Sequence, residues 1–233
     1  MSMSSNKVGD ARLSSSVTIS QYRAMECSKD RAGLANFIEQ RLLERYVLPV
    51  TRTCHKNGFL MVAASCLLIE TLESFYRGWD STHKFIKSAD IESACRPTDL
   101  KENLSKGEVA FCYFFQRFPK FSGLRPVARS FYKDVRCGIL HQGETRGGWR
   151  VLRRGPMFEP EGPTLNAARF LNEVAGAVKE YARCLRSAQW ESDLWANFKN
   201  KMDATIKHCD PAVELPLQRL TAASVQPLPA SNS

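Results

Sequence analysis

The chain has 233 residues, 43% apolar and 10% aromatic, with 33 Lys+Arg against 24 Asp+Glu and a net charge of +9. These figures exclude a collagen-like, coiled-coil or wholly disordered chain and describe a globular protein long enough to close a core without disulfides or metal. The basic excess points to an anionic partner, nucleic acid before others. The longest mostly apolar run, Phe59 to Ile69, falls short of the roughly 20 residues of a bilayer span, so no membrane contact is expected.

Residues 1–31 are serine-rich and carry no hydrophobic segment of the secretory kind, which predicts a disordered tail and a cytoplasmic location. Residues 209–233, punctuated by Pro211, Pro216, Pro227 and Pro229, read as a second disordered tail. Between them, residues 32–208 form one all-α domain, a bundle of five or six helices. Periodicity places helices at about Asn36–Cys54, kinked at Pro49, and at Phe59–Arg77, apolar almost all round and therefore central. Glu70, Glu73 and Arg77 make one polar stripe along that helix, with Glu73 and Arg77 spaced for a surface ion pair. After a polar excursion over residues 79–105, helices follow at about Lys106–Phe118 and Leu124–Leu140. The glycine-rich stretch 143–162 predicts a short hairpin or irregular loop, and helices at Thr164–Arg186 and Trp190–His208 close the domain.

Eight cysteines in a long chain without a secretory segment read as reduced thiols. Neither a C-x₂-C knuckle nor an H-x₃₋₅-H pair occurs, and the side chains of Cys54–His55 and His208–Cys209 diverge on any regular element, so no metal or other cofactor is expected.

Arg125, Arg129, Lys133 and Arg136 are spaced 4, 4 and 3, within roughly 80° of a helical wheel, while Ala128, Phe131, Tyr132, Val135 and Ile139 occupy a separate face. The first face suits a phosphate backbone and the second a core. The stripe runs into Arg136-Cys-Gly-Ile-Leu-His141-Gln-Gly143, where a permanently charged guanidinium precedes an imidazole able to move a proton near neutral pH. That combination suits phosphodiester cleavage. On a straight helix the two side chains diverge by about 140°, so they converge only if the helix unwinds near Gly138–Gly143 or if Arg136 reaches around. Arg146, Arg150, Arg153 and Arg154 around Trp149 compose a loop of the kind that holds phosphates and stacks bases, placed to flank the same cleft; alternatively Trp149 packs on the helices.

Arg136-x₄-His141 on a helix, followed by Gln142-Gly143 and preceded by a buried helix bearing acids, resembles the R-x₄₋₆-H signature of HEPN domains (higher eukaryotes and prokaryotes nucleotide-binding), over about residues 36–187. The resemblance implies a metal-independent endoribonuclease of the kind found in toxin–antitoxin, anti-phage and CRISPR-associated systems, acting as a homodimer with two motifs in one composite cleft. It assigns catalysis to Arg136 and His141, with an acid of the second helix, Glu70 or Glu73, in support. RNA would be held by Arg125, Arg129, Lys133, Arg150 and Arg153, and an antitoxin or defence-system protein is a candidate partner. Cys137 stands where active members usually carry a polar residue, which keeps a second expectation: an inactive HEPN-like module that binds RNA or a protein.

Overall fold

The computed structural model describes residues 11–52, 57–96 and 103–209; the tail residues 1–10 and 210–233, and the Cys54–His55 pair, lie outside the described residues. The protein is mostly helical, 69% helix against 8% strand. Its first helix, α1 (Ile19–Cys27), corrects the expectation of a disordered segment reaching residue 31. Thr18 and Gln21 form a reciprocal capping box at its start, and Leu13 and Tyr22 are buried in the main core. Three buried anchors, Leu13, Ile19 and Tyr22, suffice to fold a serine-rich segment whose periodicity is too short to register.

Helix α2 (Arg31–Leu42) runs through a π turn, Leu43–Val47, into the short α3 (Leu48–Thr51). The turn sits directly before Pro49. Leu48 N–H reaches back five residues to Leu43 C=O, and the wider turn absorbs the proline without ending the run. Helix α4 (Gly58–Arg77) is the central element and packs against the helices Lys106–Arg117, Ala167–Ser187 and Asp193–Cys209. Its length and mean hydropathy of 1.5 would span a bilayer, but 67% of that window is buried inside the fold, as the centre of a bundle requires. Gly78 ends it in the left-handed region at φ 64°, and a side chain there would strike Asn197 of the last helix at 2.7 Å.

The excursion contains the antiparallel pair β1 (Phe85–Lys87) and β2 (Asn103–Ser105), with two short 3₁₀ turns and a small satellite core of Ile91, Cys95, Leu104, Val109 and Tyr113. Ser105 then caps α5 (Lys106–Arg117) by accepting from Glu108 N–H. The helix expected from Leu124 starts later. Residues Pro119–Val127 are 3₁₀, and Val127, at φ −108° and ψ 14°, separates them from the α-helical run. The helical run then comprises α6 (Ala128–Ser130), a π turn (Phe131–Arg136) and α7 (Cys137–Gln142).

The 143–162 region is not a simple hairpin between its own two apolar segments. Strand β3 (Arg150–Leu152) and strand β4 (Phe158–Glu159) both pair with β5 (Thr164–Asn166), β3 parallel and β4 antiparallel to it. Asn166 caps α8 (Ala167–Ser187), and α9 (Asp193–Cys209) completes the fold. Counting runs through π turns as single helices, seven helices of nine or more residues occur among the described residues, against five or six expected; the added one is α1. One core runs from Leu13 to Met202 and includes Leu165 of the wholly buried strand β5. Its aromatic centre joins α5, the π turn, the sheet and α8: Phe131 meets Phe115, Trp149 and Phe170 at ring distances of 5.3–5.4 Å.

Candidate active site around Arg136 and His141

Three elements converge on one guanidinium. From α4, the Glu70 carboxylate accepts two hydrogen bonds from Arg136, Nε to Oε1 at 2.6 Å and Nη2 to Oε2 at 3.2 Å, the fork geometry that fixes both planes. From the loop before β1, Thr82 Oγ1 donates to Glu70 Oε2 at 3.1 Å. From α7, His141 Nε2 lies 3.3 Å from Arg136 Nη1. The side chains of Arg136 and Glu70 are only 12% and 7% exposed, whereas His141 is exposed. Burial alone would pull the Arg136 pKa down, but the hydrogen bonds and charge of Glu70 outweigh it and hold the guanidinium charged.

The local sequence explains this convergence. Cys137 N–H bonds to Tyr132 C=O, five residues back, and residues 137–142 stay α-helical until Gly143 takes up φ 71°. The helix does not unwind between the two side chains, so Arg136 reaches around to His141. Gly143 N–H caps Ile139 C=O, and Glu144 C=O lies so close over Gly138 that a side chain there would meet it at 2.5 Å. Both glycines therefore turn the chain away directly after His141 and leave the imidazole uncovered. Gly107, at the start of α5, lets the helix end approach: a side chain would come within 3.2 Å of Tyr132 Oη and 3.4 Å of Glu70 Oε2. Gly107 N–H and Lys106 N–H donate to Thr82 C=O and Lys84 C=O, which ties the Thr82 loop to α5.

The two acids of α4 separate cleanly. Glu73 is wholly buried and paired in fork geometry with Arg117, at 3.1 and 3.2 Å, with Arg77 3.8 Å away. The surface Glu73–Arg77 pair expected from spacing is thus corrected. The i, i+4 contact exists, but α5 covers it and supplies the main partner. Glu70 is the acid that supports the Arg136 site.

The basic stripe is divided by tertiary contacts. Arg125 sits on the 3₁₀ segment, and its Nε and Nη2 donate to Phe115 C=O and Gln116 C=O at 2.9 and 3.2 Å, capping the end of α5. Arg129 Nε pairs with Glu108 at 2.8 Å. Lys133 is exposed. Of the arginine loop, Arg146 lines a cavity with Tyr132, Lys133 and Cys137 beside Arg136, whereas Trp149, Arg150 and Arg153 are placed elsewhere. Trp149 is buried against Phe131 and Phe158, with its indole N–H on Ser130 Oγ at 3.2 Å, and cannot stack a base. Arg150 bonds Thr164 Oγ1 and Gly162 C=O. Arg153 lines an apolar groove with Phe59, Leu60 and Leu152, at the start of α4, about 18 Å along that helix from Glu70 at 1.5 Å per residue. On this placement, Arg125→Ala should cost about 1 kcal/mol in urea unfolding by uncapping α5. Lys133→Ala should stay within about 0.5 kcal/mol of the parent; equal costs for the two would contradict the division.

A cleft of about 320 Å³ opens beside Arg136, lined also by Glu70, Asp80, Thr82, His83 and Lys201. That volume lies at the lower end of the roughly 300–1,000 Å³ usual for small-ligand sites. His83 and Lys201 have no signal in the sequence that links them to the motif: one is a lone histidine in a polar loop and the other a solvent-type lysine on the last helix. Only the fold brings them to the cleft. No family model, curated protein or solved structure matches this chain.

Proposed function

We propose that the protein is a metal-independent endoribonuclease of HEPN type, cleaving RNA by attack of a ribose 2′-hydroxyl on the adjacent phosphate. The observation that carries this reading is the ordered set Glu70–Arg136–His141, in which a buried carboxylate holds the guanidinium and an exposed imidazole stands 3.3 Å from its remaining amino group. Glu70 has both oxygens engaged and acts as the positioning residue. Arg136 stabilises charge developing on the phosphorane, and His141 takes the 2′-hydroxyl proton or delivers one to the leaving 5′-oxygen. With one motif per chain, the complementary proton transfer comes from a second copy, which makes a homodimer part of the proposal. Leu60 and Leu67, exposed seven residues apart on one side of α4, support such a pairing near Glu70. A toxin or anti-phage role, with an antitoxin or defence protein as partner, belongs to the same reading.

The test is the chemistry of the ends. Incubated with single-stranded RNA in excess chelator, the protein should release fragments ending in 2′,3′-cyclic phosphate and 5′-hydroxyl. Fragments with 5′-phosphate ends, or cleavage that stops in chelator, would remove this mechanism. RNA binding without cleavage would instead favour the inactive module.

A further inference from the structure

Behind the Arg136 cleft, between α2, its π turn, α4 and α9, lies a second cavity of about 170 Å³. Arg41, Arg45, Lys201, Tyr46, Thr71 and Thr205 supply its polar lining, the remaining walls are Leu42 and Phe75, and among the described residues no carboxylate lines it. Arg41 is 7% exposed, and its Nη1 is fully buried with no hydrogen-bond partner among the described residues. The two acids nearest in sequence are engaged elsewhere: Glu39 pairs with Arg186 at 2.8 Å, and Glu44 accepts from the N–H and hydroxyl of Ser15 at 2.9 and 2.6 Å. Burial, then repulsion from Arg45, lowers the Arg41 pKa to about 10, and burial also lowers that of Lys201. Lys201 Nζ spends one donor on Asp80 C=O at 3.0 Å, and Arg45 Nη2 spends one on Leu13 C=O at 2.9 Å. A buried guanidinium without a counter-charge is costly, and an anion in the cavity would relieve it.

We infer that this cavity is a binding site for one phosphate-sized oxyanion, held by Arg41, Arg45 and Lys201. Arg41 Nη1 is a donor with no partner among the described residues, whereas the hydroxyls of the wall are spent: Thr71 donates to Leu67 C=O at 2.8 Å, Tyr46 to Thr71 at 3.2 Å and Thr205 to Lys201 C=O at 2.9 Å, which leaves the three cations to meet an anion. The volume is well below the roughly 300–1,000 Å³ of sites for whole drug-sized ligands, so it fits a phosphate group and not a complete nucleotide. Tyr46, Thr71 and Lys201 also line the cleft that holds Arg136, so the two spaces adjoin. The phosphate can therefore come from solution or from the end of an RNA strand lying in that cleft. The site stands independently of the cleavage reading, since binding is read without turnover.

The experiment compares thermal midpoints of the full chain in sodium phosphate and in sodium chloride at matched ionic strength. At phosphate about five times its Kd, the parent midpoint should rise about 2–4 °C above that in chloride. Arg41→Met and Lys201→Met should abolish the difference, while His141→Ala should keep it. Arg41→Met retains the apolar stem and removes an uncompensated charge, so its midpoint in chloride should equal or exceed that of the parent. Should it fail to fold, calorimetric titration of phosphate into parent and Lys201→Met carries the test. A parent without a phosphate-specific rise, or a rise retained in Arg41→Met, overturns the inference. Oligoribonucleotides bearing a terminal 5′- or 3′-phosphate, or hydroxyls alone, identify the source. About tenfold tighter binding of a phosphorylated end, lost in Arg41→Met, assigns the cavity to the strand; equal affinities with the thermal shift intact assign it to the free ion.

Discussion

His141→Ala should reduce RNA cleavage by about 10²–10⁴-fold, the range usual for loss of a general acid or base, while leaving folding and RNA affinity nearly unchanged. Folding is spared because the imidazole is exposed and, beyond the 3.3 Å approach of its Nε2 to Arg136 Nη1, carries no buried pairing among the described residues. Affinity is spared because proton transfer is needed only in the transition state. The measurement is single-turnover cleavage of a labelled RNA, with affinity taken from the same strand carrying a 2′-deoxy substitution at the cut. A variant that cleaves at the parent rate would withdraw the catalytic assignment. If the wild type does not cleave but binds, His141→Ala should bind equally well, and the module reading gains.

Arg136→Ala should act on stability and activity together. It removes both hydrogen bonds from a carboxylate that is 7% exposed and leaves Glu70 with Thr82 as its remaining partner. Breaking a buried pair by deleting one partner costs about 3–5 kcal/mol, which urea unfolding would register as a large fall in midpoint at unchanged slope. Cleavage by the fraction still folded should also be lost, since the guanidinium meets phosphate in the ground and transition states alike. Arg136→Lys should recover part of the stability, because one charged donor can still reach Glu70. It should recover little activity, because an ammonium cannot bond Glu70 in a fork and face His141 at the same time. A lysine variant with parent-like cleavage would show that Arg136 acts as a point charge, and the geometric argument would fail.

Much of the framework was legible in the sequence because helical periodicity is a local property. The apolar wheel of Phe59–Arg77 is that of a helix buried on most sides, and α4 occupies the centre. The starts of α5 and α9 fall close to their expected places, and Arg136 and His141 do meet. The misplaced elements have local causes that periodicity overlooks. A 3₁₀ segment ending at the non-helical Val127 displaced the start of the helix that carries Arg136, and the strand Thr164–Asn166 replaced what looked like the first turn of α8. The capped helix α1 lay hidden in a serine-rich segment.

What the sequence determined by itself is which residues are charged, which are apolar, and on which side of its own helix each stands. What only the tertiary structure decided is which charges are already neutralised. Glu70 and Glu73 are three residues apart on one helix, yet one orders Arg136 and the other Arg117, because different elements pack over successive turns of α4. Arg125, Arg129 and Arg150 are as basic as any phosphate-binding residue, but each meets an acceptor of the protein's own. Arg41 is the reverse case, an ordinary helix-surface residue in sequence that packing buries without a counter-charge. Partnership between charges depends on distances of a few ångströms across segments far apart in the chain, since desolvation is what makes a pairing strong or its absence costly. Residue spacing along one helix carries no information about those distances.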